Sequence, residues 1–126
     1  MHRKKYIRLC LIVPAMLLLA ACGTAARVVE SYLDALVNKD GNTLSTLSCA
    51  DWEQSALMEL DSFQAVDLRL DGLVCADSGM DGDSTLVSCS GKIIATYDGE
   101  DQEFDLSSRK YQVVQQGGDY LVCGYQ

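Results

Sequence analysis

The chain has 126 residues, 48% of them hydrophobic, and a formal charge of −8; four of its ten basic residues precede Cys22 and all 18 acidic residues follow it, so the part from Cys22 onward carries −12. A body this acidic lacks the basic footprint of a nucleic-acid binder, and its apolar content is that of a globular domain, not a disordered one. His2 is the only histidine and lies at the extreme N-terminus, which excludes Ser-His-Asp, Cys-His and His-ligated metal chemistry in the body of the protein.

In chain order, the first feature is an export signal, residues 1–21. His2, Arg3, Lys4, Lys5 and Arg8 form a basic start, followed by an apolar run of 13 residues from Leu9 to Ala21. As a helix that run would span roughly 20 Å against a hydrocarbon core of roughly 30 Å, which fits a signal core and not a membrane anchor. It ends in Leu19-Ala20-Ala21-Cys22. Small residues before the cut admit the segment to a peptidase, and the cysteine supplies the thiolate for a thioether. This resembles a bacterial lipobox. The resemblance implies cleavage before Cys22 and lipidation of Cys22, with acyl chains anchoring the protein to the extracytoplasmic side of the cell membrane or outer membrane.

Of the six cysteines, Cys10 leaves with the signal and Cys22 takes the lipid. Cys49, Cys75, Cys89 and Cys123 remain, an even number in an exported chain, where disulfides persist. Three pairings are open. Cys75 and Cys89 flank the turn-rich stretch Asp77-Ser78-Gly79-Met80-Asp81-Gly82-Asp83-Ser84. Strands on either side would bring them together and leave Cys49 for Cys123. That is the favoured pairing.

Residues 22–126 read as a single α+β domain. Thr24 is placed to cap a helix whose apolar positions are Val29, Leu33, Leu36 and Val37, and Asn38-Lys39-Asp40-Gly41 stops it. A short second helix points Leu44 and Leu47 inward. Asp51, with Gln54 three residues on, is positioned to cap a third, with Trp52, Ala56, Leu57 and Leu60 as its stripe. From Phe63 the period becomes two. Val66, Leu68 and Leu70 alternate with Asp67, Arg69 and Asp71, and Thr85 to Tyr97 is rich in β-formers. Gly91 marks a bulge or bend, Asp98-Gly99 a tight hairpin, and the parity shift near Ser107-Ser108 a second bulge. Gly117-Gly118 turns into the last strand. The expectation is three helices on one face of a curved, four-strand antiparallel meander.

The opening Ala26-Arg27-Val28-Val29-Glu30-Ser31-Tyr32-Leu33-Asp34-Ala35-Leu36-Val37-Asn38-Lys39-Asp40 resembles the first helix of nuclear-transport-factor-two-like domains with its short polar stop, and Tyr111-Gln112-Val113-Val114 through Tyr120-Leu121-Val122 resembles their last hairpin. The resemblance implies a cone-shaped fold with a concave sheet. That fold serves ketosteroid isomerases, cyclases, dehydratases and noncatalytic lipoproteins alike, so it does not deliver function. An Asp-His pair, used by several enzyme members, is impossible here. An Asp base with Tyr donors needs a carboxylate inside the cone, whereas Asp67, Asp71 and Asp105 fall on the solvent parity. Tyr32 and Tyr97 are the candidate pocket-lining residues.

Asp77, Asp81, Gly82 and Asp83 match only part of a calcium-loop pattern, since Ser88 stands where a bidentate Glu belongs. A solvated acidic hairpin loop is the expectation there. No catalytic residue, metal or cofactor is assigned. The functional expectation is a lipid-anchored binding or interaction module with a small-molecule or protein ligand. The alternative is a small envelope isomerase or dehydratase with an Asp/Tyr pocket. Its partners are the membrane, through the lipid on Cys22, and a cationic ligand in preference to nucleic acid. In the expected orientation helix one lies near the membrane while the turns around Asp81 and Asp101 both face away.

Overall fold

The first helix, α1 (Thr24–Val37), buries Ala25, Val29, Tyr32, Leu33 and Leu36 along one stripe and exposes Arg27, Ser31 and Asp34. The computed structural model describes residues 24–126; the signal segment and Cys22 lie outside the described residues. The helix starts at Thr24 itself and not one position after it. It ends where Lys39 turns left-handed, at φ 57°. The Lys39 ammonium then donates to the Gln64 carbonyl (3.2 Å) and the Val66 carbonyl (2.6 Å), just past the end of the third helix. A cation suits the negative end of a helix.

The short α2 (Gly41–Thr46) is capped by Asp40, which accepts from the Thr43 amide at 3.1 Å, and buries Leu44. The third helix, α3 (Ala50–Ser62), is capped two residues before the expected position. Its N-cap is Cys49, and Asp51 sits inside the first turn without acting as the cap. Tertiary anchoring overrides the capping box here. The Cys49 amide donates to the Val122 carbonyl at 2.9 Å and its sulfur is bonded to Cys123, so the chain is pinned extended until Ala50.

The sheet has five strands, not four: β1 (Asp67–Asp81), β2 (Ser84–Tyr97), β3 (Glu100–Asp105), β4 (Lys110–Gln116) and β5 (Asp119–Tyr125). Along the main path the order is β1-β2-β4-β5, all antiparallel, and β3 also pairs with β2. The expected bulge at Ser107-Ser108 is a 3-10 turn, Leu106–Ser108, that divides one long strand into β3 and β4. Both lie on the same edge of β2: β3 along residues 92–97, β4 along residues 85–88.

The stretch expected as an acidic loop is strand almost to its tip. β1 continues to Asp81, paired with Ser84, leaving only Gly82 and Asp83 in the turn. The predicted bend at Gly91 is present and has a steric cause. Gly91 has φ 97°, and a Cβ there would meet the Asp71 and Gly72 carbonyl oxygens at 2.6 Å. On the facing strand the β1 register shifts between Asp71 and Val74, so β1 folds over the bare Cα of Gly91. The turns Asp98-Gly99 and Gly117-Gly118 carry positive φ at both central residues, the geometry that matches strand twist.

The helices lie on the sheet face that carries Val87, Cys89, Ile93, Leu106, Tyr111, Val113 and Val122, all buried. The opposite face is mostly polar, with Arg69 paired to Asp101 at 3.3 Å and Lys92 to Glu103 at 2.7 Å over the buried Ile94. Asp67, Asp71 and Asp105 are exposed, as their parity requires. Both favoured disulfides are formed: Cys75–Cys89 joins directly facing residues of β1 and β2, with Cα atoms 4.0 Å apart, and Cys49–Cys123 ties the start of α3 to β5 at 5.3 Å.

Candidate functional site

The chemistry-bearing residues converge where α3 crosses β4 and β5. On α3, Trp52, Ala56 and Glu59 recur at i, i+4 and i+7, one face of a helix. Tyr32 reaches the same place from α1, Tyr111 from β4 and Tyr125 from β5, while Arg109 follows the 3-10 turn. Trp52 Nε1 donates to the Tyr32 hydroxyl at 2.9 Å. Arg109 Nη1 donates to the Tyr111 hydroxyl at 3.1 Å and to Glu59 Oε2 at 3.3 Å, and its guanidinium lies 4.2 Å over the Tyr125 ring centroid. The rings interlock, with centroids 6.1 Å apart for Tyr32–Tyr111 and 5.5 Å for both Tyr111–Tyr125 and Trp52–Tyr125.

Burial governs the electrostatics. It pushes the Tyr111 hydroxyl up to about 12, against the lowering pull of Arg109. It also pushes Tyr32 upward, offset in part by the Trp52 hydrogen bond. Burial pulls Arg109 down, but Tyr111 and then Glu59 outweigh it, so its net shift is upward. Glu59 and Arg109 keep 15% and 22% of their side-chain surface. Glu59 Oε1 is buried and has no hydrogen-bond partner among the described residues. The cluster therefore holds two neutral phenols, an ion pair and one spare carboxylate acceptor.

This cluster was not anticipated from the sequence, although one signal was available. Glu59 is a charged residue on the inward stripe of α3, between Ala56 and Leu60. Tyr32 belongs to the cluster as a buried residue. Tyr97 does not: it is the last residue of β2, 58% exposed, and lines a separate shallow groove of about 320 Å³ with Val66 and Gln102. The two tyrosines expected to share a pocket are not brought together, because β2 runs beyond the part of the sheet that the helices cover.

Two further grooves are external. One, about 580 Å³, runs between α1, the start of α2 and β1, with Glu30, Asp34 and Asp40 on its walls and Leu70 and Leu73 below. Glu30 Oε2 is already engaged by the Cys75 amide at 3.0 Å, and Asp40 by Thr43. The other, about 370 Å³, lies between Val28, Leu47, Tyr120 and Leu121. Asp77, Asp81 and Asp83 are strung along the β1–β2 hairpin, and no metal-holding group of three or more ligating side chains is found among the described residues. Among the described residues no helix is long and apolar enough to cross a membrane.

No protein-family model matches this chain, and no curated protein matches it in sequence. Solved structures do match its fold. Aln2 from a Streptomyces species superposes at a TM-score of 0.53 with 11% identity, over 81% of this chain and 85% of that one. A SEC-C motif containing protein from Rhodopseudomonas palustris gives 0.52 with 12% identity, over 79% and 74%. At such identity the likeness is one of fold alone.

Proposed function

We propose that this chain is a lipid-anchored, extracytoplasmic interaction module, a nuclear-transport-factor-two-like cone that works by contact and not by catalysis. One observation carries the reading. All four cysteines of the domain are bridged, so of the six only Cys10 and Cys22 are left. Cys22 stands where the lipobox Leu19-Ala20-Ala21-Cys22 requires a thiol. Disulfides belong to an oxidising compartment, and an export signal takes the chain there.

The buried Tyr32 and Tyr111 rings fill the space between α1 and the sheet, which supports ligand contact at the outer surface. With six basic against 18 acidic residues beyond the signal, that surface favours cationic partners over nucleic acid. A second reading, a small envelope enzyme, is favoured by the spare Glu59 oxygen beside two phenols.

Metabolic labelling with a radioactive fatty acid, followed by fractionation, tests the main reading. Wild type takes up label and sediments with membranes, and Cys22→Ala does neither. Unlabelled, soluble wild-type protein overturns it.

A further inference from the structure

We infer that the end of the sheet bearing the β1–β2 and β4–β5 turns rests on the bilayer surface, and that the β2–β3 turn with Tyr97 is the membrane-distal tip. This deepens the lipid-anchor reading and rests on it.

Strand register defines the two ends. Asp81 pairs with Ser84 across one turn, Gln116 with Asp119 across another, and Thr85 with Val113 between them, so both turns lie at the same end. Tyr97 pairs with Glu100 at the opposite end. Helix α1 runs from the first end to the second. Near its start, Val28 shares a groove with Gly118, Tyr120 and Leu121. Midway, Glu30 takes the Cys75 amide. Just past its end, the Lys39 ammonium meets the Val66 carbonyl.

The chain emerges at the first end, and the tether is short. Thr24 is the second residue after Cys22, and two residues reach at most about 7 Å. The second end lies beyond the tether's reach, since the 14 residues of β2 trace a contour of about 45 Å at roughly 3.3 Å each, shortened end to end by the Gly91 bend.

The tethered end also has the surface for the contact. Met80 is 64% exposed there on β1, and at the other edge of the same end, beside β5, the half-buried Val28, Leu47, Tyr120 and Leu121 line an apolar groove. Tyrosine suits the headgroup level, where one end of the ring is apolar and the other wet. Asp81, Asp83 and Asp119 share this end, so the preferred occupant is a zwitterionic phospholipid surface, and anionic lipid weakens the contact. The Asp81 turn thus faces the membrane, contrary to the orientation expected from charge and tether in the sequence, and only the Asp101 end faces away.

The test uses the full-length lipidated protein in phosphatidylcholine vesicles whose acyl chains are brominated. Met80→Trp and Tyr97→Trp are compared with wild type, with Trp52 a constant background in all three. Met80→Trp should lose about half of its added emission, because an interfacial side chain sits within roughly 5–10 Å of the acyl boundary. Tyr97→Trp should lose none, and phosphatidylglycerol should relieve the quenching at position 80.

Quenching at position 97, or equal emission with and without bromine at position 80, overturns the orientation. Intact mass and vesicle flotation separate the two levels of failure. A chain without lipid that does not float overturns the anchor reading and this inference together. A lipidated, floating chain with unquenched Met80→Trp overturns the orientation alone.

Discussion

Trp52 shows how a single donor holds the interior together. Its indole N–H is the described hydrogen-bond donor to the Tyr32 hydroxyl, 2.9 Å away, and its ring packs edge-on against Tyr125. Trp52→Phe keeps most of the packing and removes the donor. Leaving a buried polar atom unpaired costs about 1–3 kcal/mol, whereas removing both partners is nearly neutral. Urea unfolding should therefore show Trp52→Phe destabilised by that amount, with Tyr32→Phe on top costing little more. A double-mutant cycle without coupling would show that the hydrogen bond contributes nothing. Glu59 illustrates the opposite condition. Its Oε2 is paired with Arg109 while Oε1 is buried without a partner, an arrangement maintained at a cost to stability.

At the level of elements, the two disulfides have different work to do. Cys75–Cys89 closes a separation of 14 residues within one hairpin that β-pairing already holds. Cys49–Cys123 closes 74 residues and joins the helical half to the last strand. In the chain-entropy model the short loop contributes about 3 kcal/mol and the long one about 4.5 kcal/mol. The Cys49→Ala/Cys123→Ala pair should accordingly lower the urea midpoint more than Cys75→Ala/Cys89→Ala. It should also loosen the start of α3, seen as faster amide exchange around Cys49, because only the Val122 carbonyl would then hold that amide. Equal losses from both pairs would contradict this division.

For the whole molecule, the buried phenols couple stability to alkaline pH. The Tyr111 hydroxyl ionises near 10 when unfolded and is pushed up to about 12 when folded, and Tyr32 shifts the same way. The native state then binds more protons than the unfolded state between those values. The stabilisation is fully present below about pH 10 and is lost as pH rises towards 12. Unfolding midpoints measured across this window should fall steeply, with tyrosinate absorbance appearing as the protein unfolds. Tyr111→Phe should flatten the fall. An unchanged slope in that variant would assign the alkaline transition to other groups.

What the amino-acid order determined by itself was local or arithmetical. Periods of 3.6 and then 2 place three helices before the strands because side-chain facing depends only on backbone geometry. Asp98-Gly99 and Gly117-Gly118 mark turns because those residues tolerate positive φ. Four cysteines flanking a hairpin and spanning the domain pointed to the pairing that is formed. Tertiary structure decided the rest. Cys49, and not Asp51, starts α3, because a contact with β5 holds the chain extended at that point. One predicted strand became β3 and β4 because a 3-10 turn breaks it against β2. Tyr32 and Tyr97 lie apart, and Glu59, Arg109 and Tyr111 lie together, because distances between residues about 50 positions apart depend on how the sheet curves beneath the helices. No local pattern encodes that curvature.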